Sequence, residues 1–284
     1  MENNNSLNRV FATKNFKNMN SIRDLLNSHF FDAVSYVDIN EQETNQRVFE
    51  ELYRYLKDEY RNEYFYKNTL INKKLLGVHS TNTTTALSQI SIGNSKADLI
   101  LINGKAVVYE IKSGLDNLDR LPGQLSDYYK AFDHVTVLTD EKNVETLKKM
   151  LGNGPVGIDV LTSRCQIHAV KDAKQHIDDL DLRIMFRILN KTEFEYILLK
   201  TFGKLPHTTQ IKYYDACEEL FCSLKTEDCY GLYLEQLKKR HKTSTEEFNK
   251  VPYELKSAIY FADYRLNDYR RLFRCLNLRY GEEV

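Results

Sequence analysis

The stretch Ala97–Gly114, ADLILINGKAVVYEIKSG, holds two apolar runs separated by Asn103 and Gly104, and its reading decides the fold. Aliphatic runs broken by Asn-Gly are the signature of a β-hairpin. Against that apolar background stand Asp98 near the start of the first strand and Glu110 and Lys112 near the end of the second. Residues two apart on an extended strand share a face, so Glu110 and Lys112 point one way while Tyr109 and Ile111 point the other. Whether Asp98 joins them depends on the turn. A two-residue turn at Asn103 and Gly104 pairs Asp98 with Tyr109 and turns its side chain to the wrong face. A three-residue loop, Asn103 to Lys105, or one β-bulge sets Asp98 opposite Glu110, with side-chain roots roughly 5 Å apart. That odd register is the expectation.

Outward from the hairpin, ALSQISI (Ala86–Ile92) alternates as a half-buried strand, which makes an antiparallel meander of three. Downstream, Pro122 opens a helix through PGQLSDYYKAF, HVTVLT (His134–Thr139) reads as a buried strand, and a helix from about Glu141 to Leu151 ends at Gly152. VGIDVL and CQIHAV are expected as additional edge strands. Upstream, helical spacing covers Ser21–Phe30, Asn45–Tyr60 and Asn62–Leu76, the last with Asn62 as cap and Glu63 in its first turn. From Asp179 onward only helical spacing is found. The expected division is an Asn-rich, disordered or loosely packed segment over 1–19, an α/β domain over 20–178, and a helical C-terminal subdomain over 179–284.

The chain has 284 residues, 42% of them hydrophobic, enough for one sizeable domain or two modest ones. Forty basic residues balance forty acidic ones, so any polyanion must be met by local clusters rather than by a global field. No apolar run approaches the roughly 20 residues of a membrane span, and the start MENNNSLNRV has no secretory character. A cytoplasmic protein with no membrane partner is expected. Five cysteines without tight pairing suit a reducing compartment. Cys217, Cys222 and Cys229 with His241 lack the CxxC spacing of a zinc site and read as buried thiols.

Two carboxylates brought as close as Asp98 and Glu110 repel, and burial without compensation costs several kcal/mol. A divalent cation removes that penalty, and hard oxygen ligands with a position left to water suit Mg²⁺ or Mn²⁺. Lys112 beside such an ion can orient or help deprotonate water for an in-line attack on phosphorus. The competing reading is a charged strand end near solvent. Glu, an apolar residue and Lys fall in a row about once by chance in a chain that is 28% charged, so the hairpin and its flanking elements, not the tripeptide, carry the argument.

These residues resemble the PD-(D/E)xK nuclease superfamily, whose restriction-endonuclease-like core runs helix, three-strand antiparallel meander, helix, strand. The resemblance covers roughly Asn62 to Leu161 and implies that Asp98 and Glu110 bind metal, that Lys112 activates water, and that the Ile111 main-chain carbonyl completes the metal shell. Ala97 stands where the name-giving Pro would be. Gln124 and Tyr128 match the QxxxY motif of the RecB-like branch and would steady the carboxylates or contact substrate. The wording YEIKSGLDNLDRLPGQLSDYYKAFDHVTVLT looks like a family of small uncharacterised bacterial proteins named from a locus tag. The superfamily's helix acid is assigned to Glu63, with Glu50 and Glu51 as alternatives; Gln89 is a weaker candidate.

For substrate contact, Lys73, Lys74, Arg120 and Lys130 flank the site elements, while KKRHK (Lys238–Lys242) and YRRLFR (Tyr269–Arg274) form basic runs that read first as solvated faces. The function implied is metal-dependent hydrolysis of phosphodiesters, DNA ahead of RNA, with a role in defence against foreign DNA. The alternative is an inactive nuclease-like module that binds nucleic acid, or a protein partner through its helical C-terminus.

Overall fold

A computed structural model of the chain describes residues 5–17, 22–77, 83–114, 116–240 and 245–282. In chain order these form helices α1 (Asn5–Val10), α2 (Thr13–Lys17), α3 (Ile22–Leu25), α4 (Ser28–Val34), α5 (Asn45–Asp58) and α6 (Glu63–Leu70), the last continued by a π-helical segment, Ile71–Leu76. Strands β1 (Thr85–Ile92), β2 (Ser95–Asn103) and β3 (Lys105–Lys112) follow, then α7 (Leu121–Tyr129), β4 (His134–Thr139), α8 (Val144–Leu151), β5 (Gly157–Leu161) and β6 (Ile167–Lys171). Helices α9 (Leu182–Ile188), α10 (Lys191–Phe202), α11 (Gln210–Cys222), α12 (Thr226–Lys238), α13 (Thr245–Lys250), α14 (Lys256–Ala262) and α15 (Leu266–Asn277) complete the chain. Among the described residues no helix is long and apolar enough to cross a membrane.

The chain divides into two compact units, one of Met1–Asn82, Ser113–Leu115 and Lys242–Val284, the other of Thr83–Lys112 and Asp116–His241. The second is mixed α/β, built on an open sheet in the order β1-β2-β3-β4-β5-β6. The pairs β1/β2, β2/β3 and β5/β6 are antiparallel, and β3/β4 and β4/β5 are parallel. β4 and β5 are buried at every residue, as strands covered on both faces must be. β5 is therefore not the edge strand expected of VGIDVL: it lies between β4 and β6, and only β6 forms that edge. Helix α7 packs on β2 and β4, α8 on β5, α9 on β1 and α12 on β2. One apolar core runs from Ile100, Val108, Val137 and Leu125 to Phe186, Ile197, Phe221 and Leu237.

The first unit is helical and rich in aromatic contacts. Phe11 stacks on Tyr64 with ring centroids 4.8 Å apart and meets Phe49 edge-on at 5.9 Å. Asn68 donates to the Tyr53 hydroxyl at 3.0 Å and accepts the Ser257 N–H, and Asn45 donates to the Cys275 carbonyl, so chain segments about 190 and 230 residues apart are tied together. Helix α6 begins where expected, with Asn62 Oδ1 accepting from the Phe65 N–H at 3.0 Å.

Two expectations about organisation change. Residues 5–17 are not loosely packed: Leu7, Val10, Phe11 and Phe16 are all buried, three of them at helical i, i+3, i+4 spacing hidden inside an Asn-rich composition. The helices after Asp179 are not one subdomain, because α9–α12 belong to the sheet's unit and α13–α15 to the unit of the N-terminal helices. Helical periodicity marks which face is apolar but not which neighbour covers it.

Candidate functional site

The β2–β3 hairpin turns on a single apex residue, Gly104, at φ +73°, a backbone conformation that favours glycine. Asn103 pairs with Lys105, Ile102 with Ala106 and Leu99 with Tyr109. One step further along this register stands Asp98, opposite Glu110. This is the odd register, and it joins the two acids on one face. The Ile111 N–H donates to Asp98 Oδ2 at 2.9 Å, which ties the acid to the facing strand.

Glu110 is only 2% exposed and both its oxygens are engaged. Lys112 Nζ lies 2.9 Å from Oε1, and the Tyr128 hydroxyl donates to Oε2 at 2.6 Å. The same hydroxyl is 3.0 Å from the Lys96 carbonyl, but it has one proton, and the charged acceptor at the shorter distance takes it. Burial, then the charges of Glu110 and Asp98, push the Tyr128 hydroxyl far above its ordinary value, so it stays a donor. Lys112 Nζ also donates to Gln124 Oε1 at 2.9 Å, while its carbonyl accepts from the Thr139 hydroxyl at 2.7 Å. Gln124 and Tyr128 thus act from one face of α7, four residues apart.

Two further features complete the site: one has no signature in the sequence, and the other is the weaker candidate Gln89 in an unexpected backbone conformation. Asp127, beside Tyr128, accepts from the Asn94 N–H, the Ser95 hydroxyl and Lys130 Nζ, at 3.1, 2.7 and 2.7 Å, and so pins the β1–β2 turn to α7. Burial works to raise its pKa, but Lys130 and Ser95 outweigh it and hold the carboxyl below its usual range. Gly93 in that turn has φ +57°, and a Cβ there would meet Asp127 Oδ1 at 2.6 Å. The second feature is Gln89, exposed and at φ +59°, where the β1–β2 ladder skips one pair, directly opposite Asp98. The Ser88 hydroxyl takes over the Asp98 carbonyl there, at 3.0 Å.

The remaining candidates are distributed differently. Arg120 is exposed and precedes α7 as its cap residue. Glu63 belongs to the first unit, where it pairs with Lys67 at 2.8 Å. Glu50 pairs with Arg47 at 3.1 Å, and Glu51 with Arg47 and Arg54. Arg240 of KKRHK is no solvated cation: it pairs with Glu193 at 2.6 Å and donates to the Ile188 carbonyl. Cys217 and Cys229 are buried thiols and Cys222 is half-buried; His241 lies outside the described residues.

Among the described residues no group of three or more His, Cys, Asp and Glu side chains is gathered so as to hold a metal ion. Asp98 and Glu110 offer two carboxylates against one ammonium, a net negative charge in an all-oxygen donor set that suits a hard cation.

No solved structure matches this chain. Protein cII of Enterobacteria phage P4 is 32% identical over 71 residues, which make up 24% of this chain and 27% of the phage protein, so the chain spans about a quarter of that relative's length. The family model for Bacteriophage P4 protein cII matches residues 56–262, a range that includes the whole sheet and helices α6–α14. With well over half of its length matched, the chain belongs to the Bacteriophage P4 protein cII family.

Proposed function

We propose that the protein is a nuclease of the PD-(D/E)xK type that hydrolyses phosphodiester bonds, with DNA favoured over RNA by analogy, and that its sheet is a restriction-endonuclease-like core. The observation that carries this reading is the β2–β3 register, which stands Asp98 opposite Glu110 on the face that also bears Lys112. Asp98, Glu110 and the Ile111 carbonyl would hold Mg²⁺ or Mn²⁺. Such an ion, when bound, makes a water more acidic and offsets charge on the phosphate. Lys112, steadied by Gln124, orients the attacking water and balances charge on the substrate. Tyr128 keeps Glu110 in one orientation by donating to Oε2. Arg120 is exposed for contact with the backbone of the substrate. Cleavage of foreign DNA within the cytoplasm is the biological role that goes with this chemistry.

A second reading is favoured by one observation. Lys112 is already engaged by Glu110 and Gln124, as in a nuclease-like module that binds nucleic acid or a protein without cutting. Wild type and Lys112→Ala assayed on single- and double-stranded DNA and RNA, with Mg²⁺, Mn²⁺ or EDTA, separate the two. Metal-dependent cleavage that falls roughly 10²-fold or more in the variant is expected. Cleavage that survives EDTA or the substitution overturns the mechanism, and no cleavage of any substrate leaves the binding module.

A further inference from the structure

Helix α15 is sharply two-faced. Tyr269, Leu272, Cys275 and Leu276 are buried. Asn267, Arg270, Arg271, Arg274 and Asn277 are exposed and centre on the opposite side of the helix. Arg270 and Arg274 lie one turn apart, about 6 Å along the axis. Exposed Arg265 and Arg279 flank the helix and extend the positive face at both ends.

Little negative charge cancels this face. Arg271 meets Asp268 at 3.5 Å, on the rim. Arg265, Arg270, Arg274 and Arg279 carry no ion pair among the described residues, and Arg270 instead donates to Asn267 Oδ1 at 3.2 Å. Asp263 and Glu247 act on the inward side: burial first, and then these acids with Asp268, push the Tyr269 hydroxyl up to about 12. Glu282 accepts the Arg279 main-chain N–H. In a chain of zero net charge, such a concentration of cations is a local field.

We propose that the outer face of α15 binds the sugar-phosphate backbone of a nucleic acid duplex. Arginine and asparagine side chains are the donors that phosphate oxygens take, and a stripe of them along a helix positions a duplex without reading its bases. A single strand is a poorer fit, because it is held by exposed stacking rings and the aromatic residues of α15 are buried or half-buried. An anionic membrane is also a poorer fit, because the apolar face that would insert is covered and only Leu266 is an exposed large apolar residue of the helix.

The test is binding of a labelled 30-base-pair duplex of mixed sequence by the full chain in EDTA, at several salt concentrations. Wild type is expected to bind with a steep salt dependence. Arg270→Gln/Arg271→Gln/Arg274→Gln is expected to bind at least tenfold more weakly, with a log–log salt slope shallower by about 3, and to melt as wild type does. Asn267→Lys/Asn277→Lys should bind more tightly, with a slope steeper by about 2, whatever becomes of the triple variant. A triple variant that folds and matches wild type in affinity and slope overturns the proposal. So does binding confined to single strands or to phosphatidylserine vesicles, or no binding at all. Because nothing is cut in EDTA, a failure of the nuclease reading leaves this result unaffected.

Discussion

The β2–β3 hairpin and helix α15 carry charge in opposite ways. In the hairpin Glu110 is 2% and Lys112 8% exposed, and each charged atom touches a partner. On α15 the arginines stand in solvent, and among the described residues only Arg271 makes a side-chain ion pair. The difference follows from solvation. A buried ion without partners costs several kcal/mol, so Tyr128, Gln124 and Lys112 are conditions for Glu110 being there at all. An exposed cation costs almost nothing, so its presence says little until neighbours fail to neutralise it. Substitutions in the hairpin should therefore act on stability as well as on activity, and those on α15 on binding alone.

Glu110→Ala should break the contrast most severely. It leaves the Lys112 ammonium buried with Gln124 as its remaining side-chain partner, and a loss of about 3–5 kcal/mol is expected in urea denaturation at neutral pH. Glu110→Ala/Lys112→Ala should recover part of that loss, since the stranded charge is gone. Tyr128→Phe should cost less, about 1–3 kcal/mol, because one oxygen of Glu110 loses its donor while Lys112 stays. The last effect is one of pH, at Lys256 on α14, a buried cation held by two main-chain carbonyls and the face of the Phe248 ring: Nζ donates to the Phe248 carbonyl at 2.6 Å and the Asn249 carbonyl at 3.1 Å, and lies 4.8 Å from the ring centroid. Burial lowers its pKa to about 8, against an ordinary 10.5, so between those values the unfolded chain holds the proton more tightly than the folded one. Stability should rise with pH across that window, and the carbonyl contacts moderate the size. The melting temperature of wild type should rise relative to that of Lys256→Met between pH 8 and 10.5; a constant difference would place that lysine with the solvated cations of α15.

The hairpin was legible because its parity is all or nothing: one residue more or less in the turn moves Asp98 to the other face. Asn103, Gly104 and Lys105 allow either parity, and the placement of Asp98, Glu110 and Lys112 favoured the odd one; Gln124 and Tyr128, four residues apart, were legible from helical spacing. The role of Asp127 was not legible, since besides Lys130 three residues on its partners are a main-chain N–H and a serine hydroxyl 32 to 33 residues earlier, and no pattern of residue types announces such contacts. Nor was the inward turn of Arg240, because a basic run looks the same whether its members face water or a buried Glu193. The pairing of the N-terminal helices with α13–α15 escaped for a broader reason. Amphipathic helices have many apolar faces to choose from, and contacts such as that of Asn45 with Cys275, 230 residues apart, decide among them.

The one-residue apex at Gly104 also bears on folding order. The contacts that define the site span short stretches of chain: 13 residues from Asp98 to Ile111, 12 from Lys112 to Gln124 and 18 from Glu110 to Tyr128. Loops near ten residues close in roughly 10–100 ns and hairpins form in about 1–10 μs, far ahead of contacts that join the ends of a long chain. The contacts of the two acids and the lysine are therefore local in sequence, and closing them costs little loop entropy. A nascent chain that has emerged only as far as Tyr129 already carries every residue of that network.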